Sequence, residues 1–278
     1  MPELPEVETV RGDLEAHLVG RTFTGAEVLW ERSVDRPPAE LFPAALAGHR
    51  VEAIERRGKF LVLRLDGGAS LIVHLRMTGQ LRWREHGAPR ERHLRVVLYL
   101  DDGHELHFDD QRKFGRMYLV PDEAGRLEVL SRLGPEPLLQ DFSREALQGR
   151  LRGRRARLKS LLMDQQFLAG LGNIYVDEAL FHARLHPMRR SDTLTEEEIT
   201  RLHEGITEAL RQGIANRGTT LADYRDVWGT AGLNQEALFV FRREGQPCPR
   251  CGTPIEKINV GGRGTHFCPS CQPSPVTP

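Results

Sequence analysis

The chain has 278 residues, of which 39% are hydrophobic and 28% charged, and its formal net charge is zero, from 39 basic and 39 acidic residues. A chain of this length can bury a substantial core and is predicted to form two domains with a small appendage. No signal peptide and no membrane-spanning apolar run are recognisable, so we expect a soluble cytoplasmic protein. The neutral total charge argues against a protein that coats nucleic acid indiscriminately.

The first nine residues, MPELPEVET, place Pro2 directly after Met1. If Met1 is removed, the chain begins with a secondary amine, and an α-amino pKa of roughly 7.7 to 8.0 leaves part of it unprotonated at neutral pH. Such an amine can attack a sugar or carbonyl carbon and form an iminium, with Glu3 and Glu6 close by to move protons. The stretch also predicts a helix whose buried stripe is Val7, Val10, Leu14 and Leu18.

After this helix the chain consists of short segments rich in Val, Leu, Ile and aromatic residues, separated by Gly, Asp and Pro turns. These segments are 50–54, 59–65, 70–75, 94–100, 105–108 and 116–120. Their spacing predicts an antiparallel β-sandwich from about residue 21 to residue 120.

Beyond a Gly-Pro-Glu-Pro linker at 134–137, the pattern becomes helical. Helices are predicted at 144–151, 158–163, 173–181 and 196–215. The loop at 216–234 has several glycines and little periodicity, which is typical of a functional or mobile segment. The predicted fold class is therefore α+β and multidomain.

A run of basic residues lies between Arg144 and Lys159, with Glu145 as its one acid. The seven bases are Arg144, Arg150, Arg152, Arg154, Arg155, Arg157 and Lys159. The run predicts a local anion-binding stripe on a neutral protein, and a solvated basic helix face is the alternative.

All four cysteines lie near the carboxyl end, in Cys248-Pro-Arg-Cys251 and Cys268-Pro-Ser-Cys271. Two such knuckles predict a closed tetrahedral thiolate site for one structural zinc ion. Two disulfides are the alternative, which a reducing cytosol disfavours. Strands are predicted at 255–260 and 266–267, with Arg263 on the glycine-rich tip at 261–264.

Together these motifs resemble the formamidopyrimidine-DNA glycosylase family, bacterial repair enzymes for oxidised purines. The matching segments are 2–9, 56–60, 74–79, 110–115, 161–178 and 261–272. Leu4 stands where the endonuclease VIII relatives have glycine, which favours the purine branch. The resemblance implies an N-terminal helix and β-sandwich domain at 1–130, a helix-two-turn-helix domain with the lesion-recognition loop at 131–240, and a zinc-ribbon-like β-hairpin finger at 241–278. It also implies that DNA lies in the cleft between the lobes.

The implied activity is that of a bifunctional DNA glycosylase and abasic-site lyase of base excision repair. It would remove 8-oxoguanine and formamidopyrimidines from damaged double-stranded DNA. The implied catalytic residues are Pro2, Glu3, Glu6, Lys59, Glu178 and Arg263. By resemblance, Pro2 forms the Schiff base and Glu3 protonates the sugar. Lys59 moves a proton during β-elimination, and Arg263 grips a phosphate for δ-elimination, whereas Glu6 and Glu178 match acids near the active centre.

The resemblance also implies a set of DNA contacts. Met77, Arg112 and Phe114 match residues that fill the hole left by an everted base. Glycines and an amide at a helix start make Asn173 a phosphate contact. The full DNA-binding set is Met77, His93, Arg112, Phe114, Arg154, Lys159, Asn173 and Arg263. No membrane partner is expected, and nothing suggests an oligomer rather than a monomer.

Three alternative functions stay open, and the sequence departs from the family pattern at two places. The alternatives are a pyrimidine-specific relative, a non-catalytic DNA-binding protein and a zinc hydrolase, although four thiolates would leave no coordination position for water. Phe241-Arg242-Arg243 replaces the tyrosine and glycine common in the family, so a hydroxyl hydrogen bond is lost and charge is gained. Trp228 and the segment 231–233 fit no lesion pattern.

Overall fold

The computed structural model describes residues 1–274. They form two compact units: one comprises Met1–Ser131 and Asn216–Gln235, and the other comprises Arg132–Ala215 and the residues from Glu236 onward. The loop that we predicted as part of the 131–240 domain therefore packs within the first unit. The division into three domains at 1–130, 131–240 and 241–278 stays a prediction. Within residues 1–274, no helix is long and apolar enough to cross a membrane.

The first unit begins with helix α1, Leu4–Leu18. Glu3 and Glu6 form a reciprocal capping box, in which each side chain accepts a backbone N–H that the helix leaves unpaired. The predicted apolar stripe is confirmed, since its four residues are no more than 1% exposed. Burying this stripe is the main contribution of α1 to the core of the unit.

Two sheets supply the other layers of this unit. In order across the sheet, the first has β1 (Phe23–Val28), β7 (Leu94–Leu100), β8 (His104–Asp110) and β6 (Gly79–Glu85). The second has β2 (Val34–Arg36), β9 (Arg116–Val120), β5 (Ser70–His74), β4 (Phe60–Leu65) and β3 (Val51–Arg57). Two short helices, α2 (Phe42–Leu46) and α3 (Glu123–Leu130), complete the unit.

The predicted β-sandwich is confirmed, and its core contains residues from both sheets together with α1. All six predicted strands form, and β1, β2 and β6 add to them. One neighbouring pair, β2 with β9, is parallel rather than antiparallel. The strand β6 was missed although its alternation of apolar residues with arginines is typical of a half-buried strand, and β2 is only three residues long.

The second unit contains α4 (Arg144–Leu151), α5 (Leu158–Met163), α6 (Asn173–His182) and α7 (Glu196–Ala215). These helices confirm the predicted intervals. Thr195 and Glu198 form the capping box of α7, with side-chain to backbone distances of 2.9 and 3.2 Å. Gly205 permits close packing of α6 on α7, since a Cβ there would lie 2.6 Å from the Ala179 carbonyl oxygen.

The hairpin β10 (Glu256–Val260) and β11 (Arg263–Phe267) completes this unit. Gly261 and Gly262 form its two-residue turn, with φ angles of 60° and 77°. Such a turn needs two left-handed residues, which glycine adopts without strain. The predicted tip was too wide, because Arg263 and Gly264 lie in β11 and pair with β10.

Candidate functional site

The start of α1 is a buried acidic cluster beside Pro2. Glu3 and Glu6 are 2% and 1% exposed, whereas Met1 is 54% exposed and accessible to a peptidase. The carboxylate of Glu6 accepts the Glu3 N–H at 2.7 Å and, through its other oxygen, the Thr219 N–H at 2.7 Å. These bonds fix the backbone that follows Pro2 and join it to the loop at 216–235.

Lys59 lies in the two-residue turn between β3 and β4, after Gly58 with φ 59°. Although it is on a hairpin turn, its side chain is 5% exposed. Burial, together with the charges of Arg76 and Lys59, lowers the pKa of His74 to about 3. The His74 Nδ1 accepts the Arg76 N–H at 2.9 Å, so the imidazole is neutral. The structure thus places the Lys59 cation beside a neutral ring.

Three residues predicted to enter the duplex lie on two loops. Met77 is half-buried in the turn between β5 and β6, and Arg112 and Phe114 lie between β8 and β9. Phe114 is 46% exposed, which is unusual for a large apolar ring. The Arg112 guanidinium carbon lies 5.0 Å from the centre of this ring. The exposed ring and the adjacent cation fit the roles predicted for them.

A buried aspartate that the sequence analysis missed holds these two loops together. Asp110 is fully buried, and one of its oxygens accepts the Thr78 hydroxyl at 2.5 Å. The other oxygen accepts the Gly115 N–H at 2.7 Å, and the Thr78 oxygen accepts the Arg112 N–H at 3.0 Å. Asp110 belongs to the matching segment 110–115, but only the fold shows that it faces the other loop.

His93 precedes β7, and its carbonyl accepts the Asp110 N–H at 2.8 Å. Together with Arg82, Arg84 and Arg92 it lines a cavity of about 220 Å³ in the first unit. Acidic residues line the same cavity, namely Glu91, Asp109, Asp110 and Asp223. The cavity is therefore of mixed charge and does not by itself support a phosphate contact for His93.

In the second unit, Asn173 and the cysteine hairpin meet. Asn173 is the first residue of α6, and its Nδ2 donates to the Gly264 carbonyl at 3.1 Å. The neighbouring Arg263 is exposed at the start of β11. The structure thus brings the predicted amide and the predicted cation to the amino end of one helix, where backbone N–H groups favour anions.

Lys159 does not reach the surface, in contrast to the DNA-contacting position expected for it. Its side chain is 0% exposed, and its ammonium donates to Asp177 Oδ1 at 2.7 Å and to the Asn173 carbonyl at 2.9 Å. The second Asp177 oxygen accepts the His266 N–H at 2.9 Å. Lys159 therefore holds the start of α6 and, through Asp177, strand β11.

The basic run divides into structural and exposed residues. Arg150 donates to the carbonyls of Phe167 and Gln166 at 3.0 and 2.8 Å. Arg152, Arg154, Arg155 and Arg157 are exposed. A shorter cationic surface, from 152 to 157, is what remains of the predicted stripe.

Glu178 is neither a surface charge nor a group open to substrate in this unit. It is 2% exposed, and its carboxylate accepts the N–H groups of Phe239, Val240 and Phe241 at 2.8 to 3.0 Å. Burial raises its pKa, and the three hydrogen bonds oppose that effect. The Glu178 carboxylate therefore fixes the backbone of residues 239–241, before the first cysteine knuckle. These contacts do not support the catalytic role predicted for Glu178.

The four cysteines form a candidate metal centre. Their sulfur atoms lie within 4.8 Å of one another, and none of the four is in a disulfide. The Arg250 and Cys271 N–H groups each lie 3.4 Å from a knuckle sulfur, that of Cys248 and that of Cys268. Four converging thiols with backbone donors match a closed tetrahedral metal site, and two disulfides do not fit the separations of 3.5 and 3.9 Å.

The fold and these sites define an α+β protein with a β-sandwich, a helical unit and a cysteine hairpin. Models of three domains match: the formamidopyrimidine-DNA glycosylase N-terminal domain over 1–117, the H2TH domain of the same enzyme over 133–224, and a zinc finger found in FPG and IleRS over 245–273. A relative from Pelotomaculum thermopropionicum named formamidopyrimidine-DNA glycosylase is 50% identical over 273 residues, which cover 98% of this chain and 99% of the relative.

Solved structures agree with this assignment. A mutant of Lactococcus lactis FPG in complex with Fapy-dG containing DNA has a TM-score of 0.91 and 39% identity, covering 98% of this chain and 100% of that one. MutM in complex with DNA containing carbocyclic 8-oxo-G has a TM-score of 0.90 at 39% identity, with the same coverage. The chain belongs to the formamidopyrimidine-DNA glycosylase family, which confirms the predicted family, fold class and enzyme class.

Proposed function

We propose that the chain is a bifunctional DNA glycosylase and abasic-site lyase that removes oxidised purines from duplex DNA through its amino-terminal proline. The observation that carries this proposal is the buried Glu3–Glu6 capping box, which fixes the backbone next to Pro2. A positioned amine reacts faster than a free one because its orientation is already set. The relatives crystallised with Fapy-dG and 8-oxo-G DNA support the purine substrate class.

The first steps follow from the chemistry of a secondary amine. After removal of Met1, the Pro2 nitrogen lone pair bonds to C1′ of the damaged nucleotide. The bond from C1′ to the base breaks, and the base leaves with the bonding electrons and takes up a proton from solvent. The Pro2 nitrogen gives its own proton to the Glu3 carboxylate. Glu3 protonates O4′ as the sugar ring opens, and the nitrogen electrons complete an iminium with C1′.

Strand cleavage then needs a proton acceptor and a phosphate contact. The iminium acidifies the C2′ proton, and its removal expels the 3′ phosphate with the bonding electrons. Lys59, which is 5% exposed in the turn between β3 and β4, assists this proton transfer. Arg263 and Asn173 bind the backbone phosphate, and Arg263 also supports the later δ-elimination that releases the 5′ phosphate.

The remaining site residues are proposed to hold the DNA open. Phe114 and Met77 fill the space of the everted base and Arg112 bonds to the orphaned partner base, while His93 and Arg154 contact phosphates. The four thiolates would hold one zinc ion, which supplies no chemistry and stabilises the hairpin that carries Arg263.

Borohydride trapping on a duplex with one 8-oxoguanine opposite cytosine tests this proposal. The wild-type protein should form a covalent adduct that Pro2→Gly and an undamaged duplex do not give. Intact-mass measurement of the purified protein should show that Met1 is absent, because otherwise position 2 is an amide with no nucleophilic lone pair.

Other results would support the alternatives. An adduct with a dihydrouracil duplex but none with 8-oxoguanine would make the chain a pyrimidine-specific enzyme. Binding of both duplexes without any adduct, by protein that lacks Met1, would make it a non-catalytic DNA-binding protein.

A further inference from the structure

The helix that follows Pro2 has a second, polar stripe that the sequence analysis did not single out. Glu6, Asp13 and His17 are spaced by seven and four residues and so lie on one face of α1. Each of them contacts the 216–235 loop, which belongs to the same compact unit. The apolar stripe of α1 faces the core, and this polar stripe faces the loop.

The first of these contacts is at Glu6. Its carboxylate accepts the Thr219 N–H at 2.7 Å, and the Tyr224 hydroxyl lies 3.4 Å from the Glu6 carbonyl. Gly218, at φ 82°, makes the approach possible, since a Cβ there would lie 2.9 Å from Glu6 Cγ. The carboxylate that binds the backbone beside Pro2 therefore also binds the loop.

The second contact is an ion cluster formed by Arg217, Asp13 and Asp226. One guanidinium nitrogen of Arg217 lies 2.7 Å from Asp13 Oδ2 and 2.8 Å from Asp226 Oδ2. Arg217 is 47% exposed, but the two carboxylates are only 11% and 4% exposed. The other Asp226 oxygen accepts the N–H groups of Trp228 and Thr230, at 3.1 and 2.8 Å. One cluster thus joins α1 to both ends of the segment 217–226 and shapes the turn at 226–230.

The third contact is aromatic and gives Trp228 a structural role. Its ring meets the His17 ring edge-on, with the centres 4.9 Å apart at 71°. The next residue back, Val227, is fully buried, and its carbonyl accepts the Trp83 N–H of β6 at 2.9 Å. The loop is therefore attached to α1 and to β6, and Gln80 of β6 also donates to the Asp223 carbonyl at 2.5 Å.

We propose that Arg217, Asp13 and Asp226 are positioning residues for base excision. They hold the 216–235 loop, which is the predicted lesion-recognition loop, in a fixed position relative to the amine at the start of α1. This inference rests on the proposed function. The loop can only act on a base that is present, so it matters for excision of a lesion and not for the lyase reaction at a site that has already lost its base. None of the three residues needs to touch the substrate.

The test compares two duplexes that differ only in the base: one with 8-oxoguanine opposite cytosine, the other with an abasic site. Arg217→Ala should lower kcat/KM for 8-oxoguanine excision by about ten- to a hundredfold, because a small misplacement of a positioned group is costly. Strand cleavage at the abasic site should stay within about twofold of wild type. Asp13→Asn, which keeps the shape of the side chain, should give the same split to a smaller extent.

Arg11→Ala is the matched control. Arg11 also pairs with two carboxylates, Glu8 and Glu15 at 2.7 Å each, but both lie on α1 itself. This variant should cleave both duplexes like wild type. Acrylamide quenching of tryptophan fluorescence, with Trp228→Phe as the subtraction, should show that Trp228 becomes more accessible in Arg217→Ala and not in Arg11→Ala.

Two outcomes would overturn the inference while the proposed function stands. One is unchanged excision by Arg217→Ala, and the other is an equal loss on both duplexes, which would mean that the cluster only maintains the fold. A wild-type protein that cleaves neither duplex would instead contradict the proposed function itself.

Discussion

At the scale of single residues, the buried carboxylates of this protein are explained by the backbone N–H groups that they accept. Glu6 binds the chain beside Pro2 and the loop, Asp110 joins two loops, and Glu178 organises the segment 239–241. An unpaired buried N–H costs about 1 to 3 kcal/mol, so each carboxylate stabilises a backbone shape that would otherwise be unfavourable. The family resemblance implied a catalytic role for Glu178, whereas the contacts of this residue indicate a structural role.

His74 provides a pH prediction at this scale. Its folded pKa is lowered to about 3 from the usual 6.5, first by burial and then by Arg76 and Lys59. As the pH falls below 6.5, the unfolded side chain takes up a proton and the folded one does not, so stability is lost. The free energy of unfolding should fall by about 2 kcal/mol from this group between pH 6.5 and 5.

Urea unfolding of wild type and His74→Asn at both pH values checks this prediction. The asparagine oxygen can accept the Arg76 N–H, so the variant should fold with some loss of packing against Phe60. Its stability should depend less on pH than that of wild type by the stated amount. Parallel pH dependences in the two proteins would show that His74 is not held neutral.

At the scale of elements, the hairpin β10–β11 shows how a small element depends on a metal centre. The apolar cluster beside its cysteines is small and contains Phe181, Val240 and Ile255, and the hairpin itself buries Val260 and Phe267. Metal binding by four thiolates can supply on the order of 10 kcal/mol of folding free energy, more than such a cluster can. The hairpin in turn places Gly264 against Asn173 and Arg263 beside it.

Removal of the metal should therefore unfold the hairpin and weaken DNA binding. The native protein should contain one zinc ion per chain by elemental mass spectrometry. Chelation, or Cys268→Ala, should make the 248–271 segment sensitive to protease and lower affinity for an abasic-site duplex by about tenfold or more, since charge-assisted phosphate contacts are lost. Added zinc should restore both properties in the chelated wild type but not in the variant. Unchanged protease resistance after complete metal loss would contradict this expectation.

At the scale of the whole molecule, the protein has 39 basic and 39 acidic residues, but the basic residues differ in whether they are paired or exposed. Many cations form ion pairs, such as Lys159 with Asp177 and Arg56 with Glu8. Others remain exposed, among them Arg154 and Arg263. Affinity for DNA should therefore depend on a few phosphate contacts and be sensitive to salt.

The salt dependence of binding distinguishes these two groups of cations. Arg154→Ala and Arg263→Ala should each reduce the slope of log K against log salt by about one, as expected for loss of a phosphate contact. Lys159→Met should leave that slope unchanged and lower the free energy of unfolding by about 3 to 5 kcal/mol, because Asp177 would stay buried without its partner. A reduced slope for Lys159→Met would restore it to the DNA-binding set.

The sequence by itself determined what depends on local pattern. The apolar stripe of α1, six strands, four helices and the two cysteine knuckles follow from spacing, and the family follows from motifs that keep their order along the chain. The three-residue strand β2 is too short to carry such a pattern, because its neighbour in the sheet rather than its own residues stabilises it.

Only the tertiary structure decided which charged side chains are exposed and which are buried. Sequence gives Lys159 and Arg154 the same character, yet one is buried against Asp177 and the other is exposed. It also gives no sign that the loop after α7 returns to α1, where Arg217 meets Asp13 across 204 residues. Pairings over such separations depend on how distant elements pack, and local propensity contains no information about that packing.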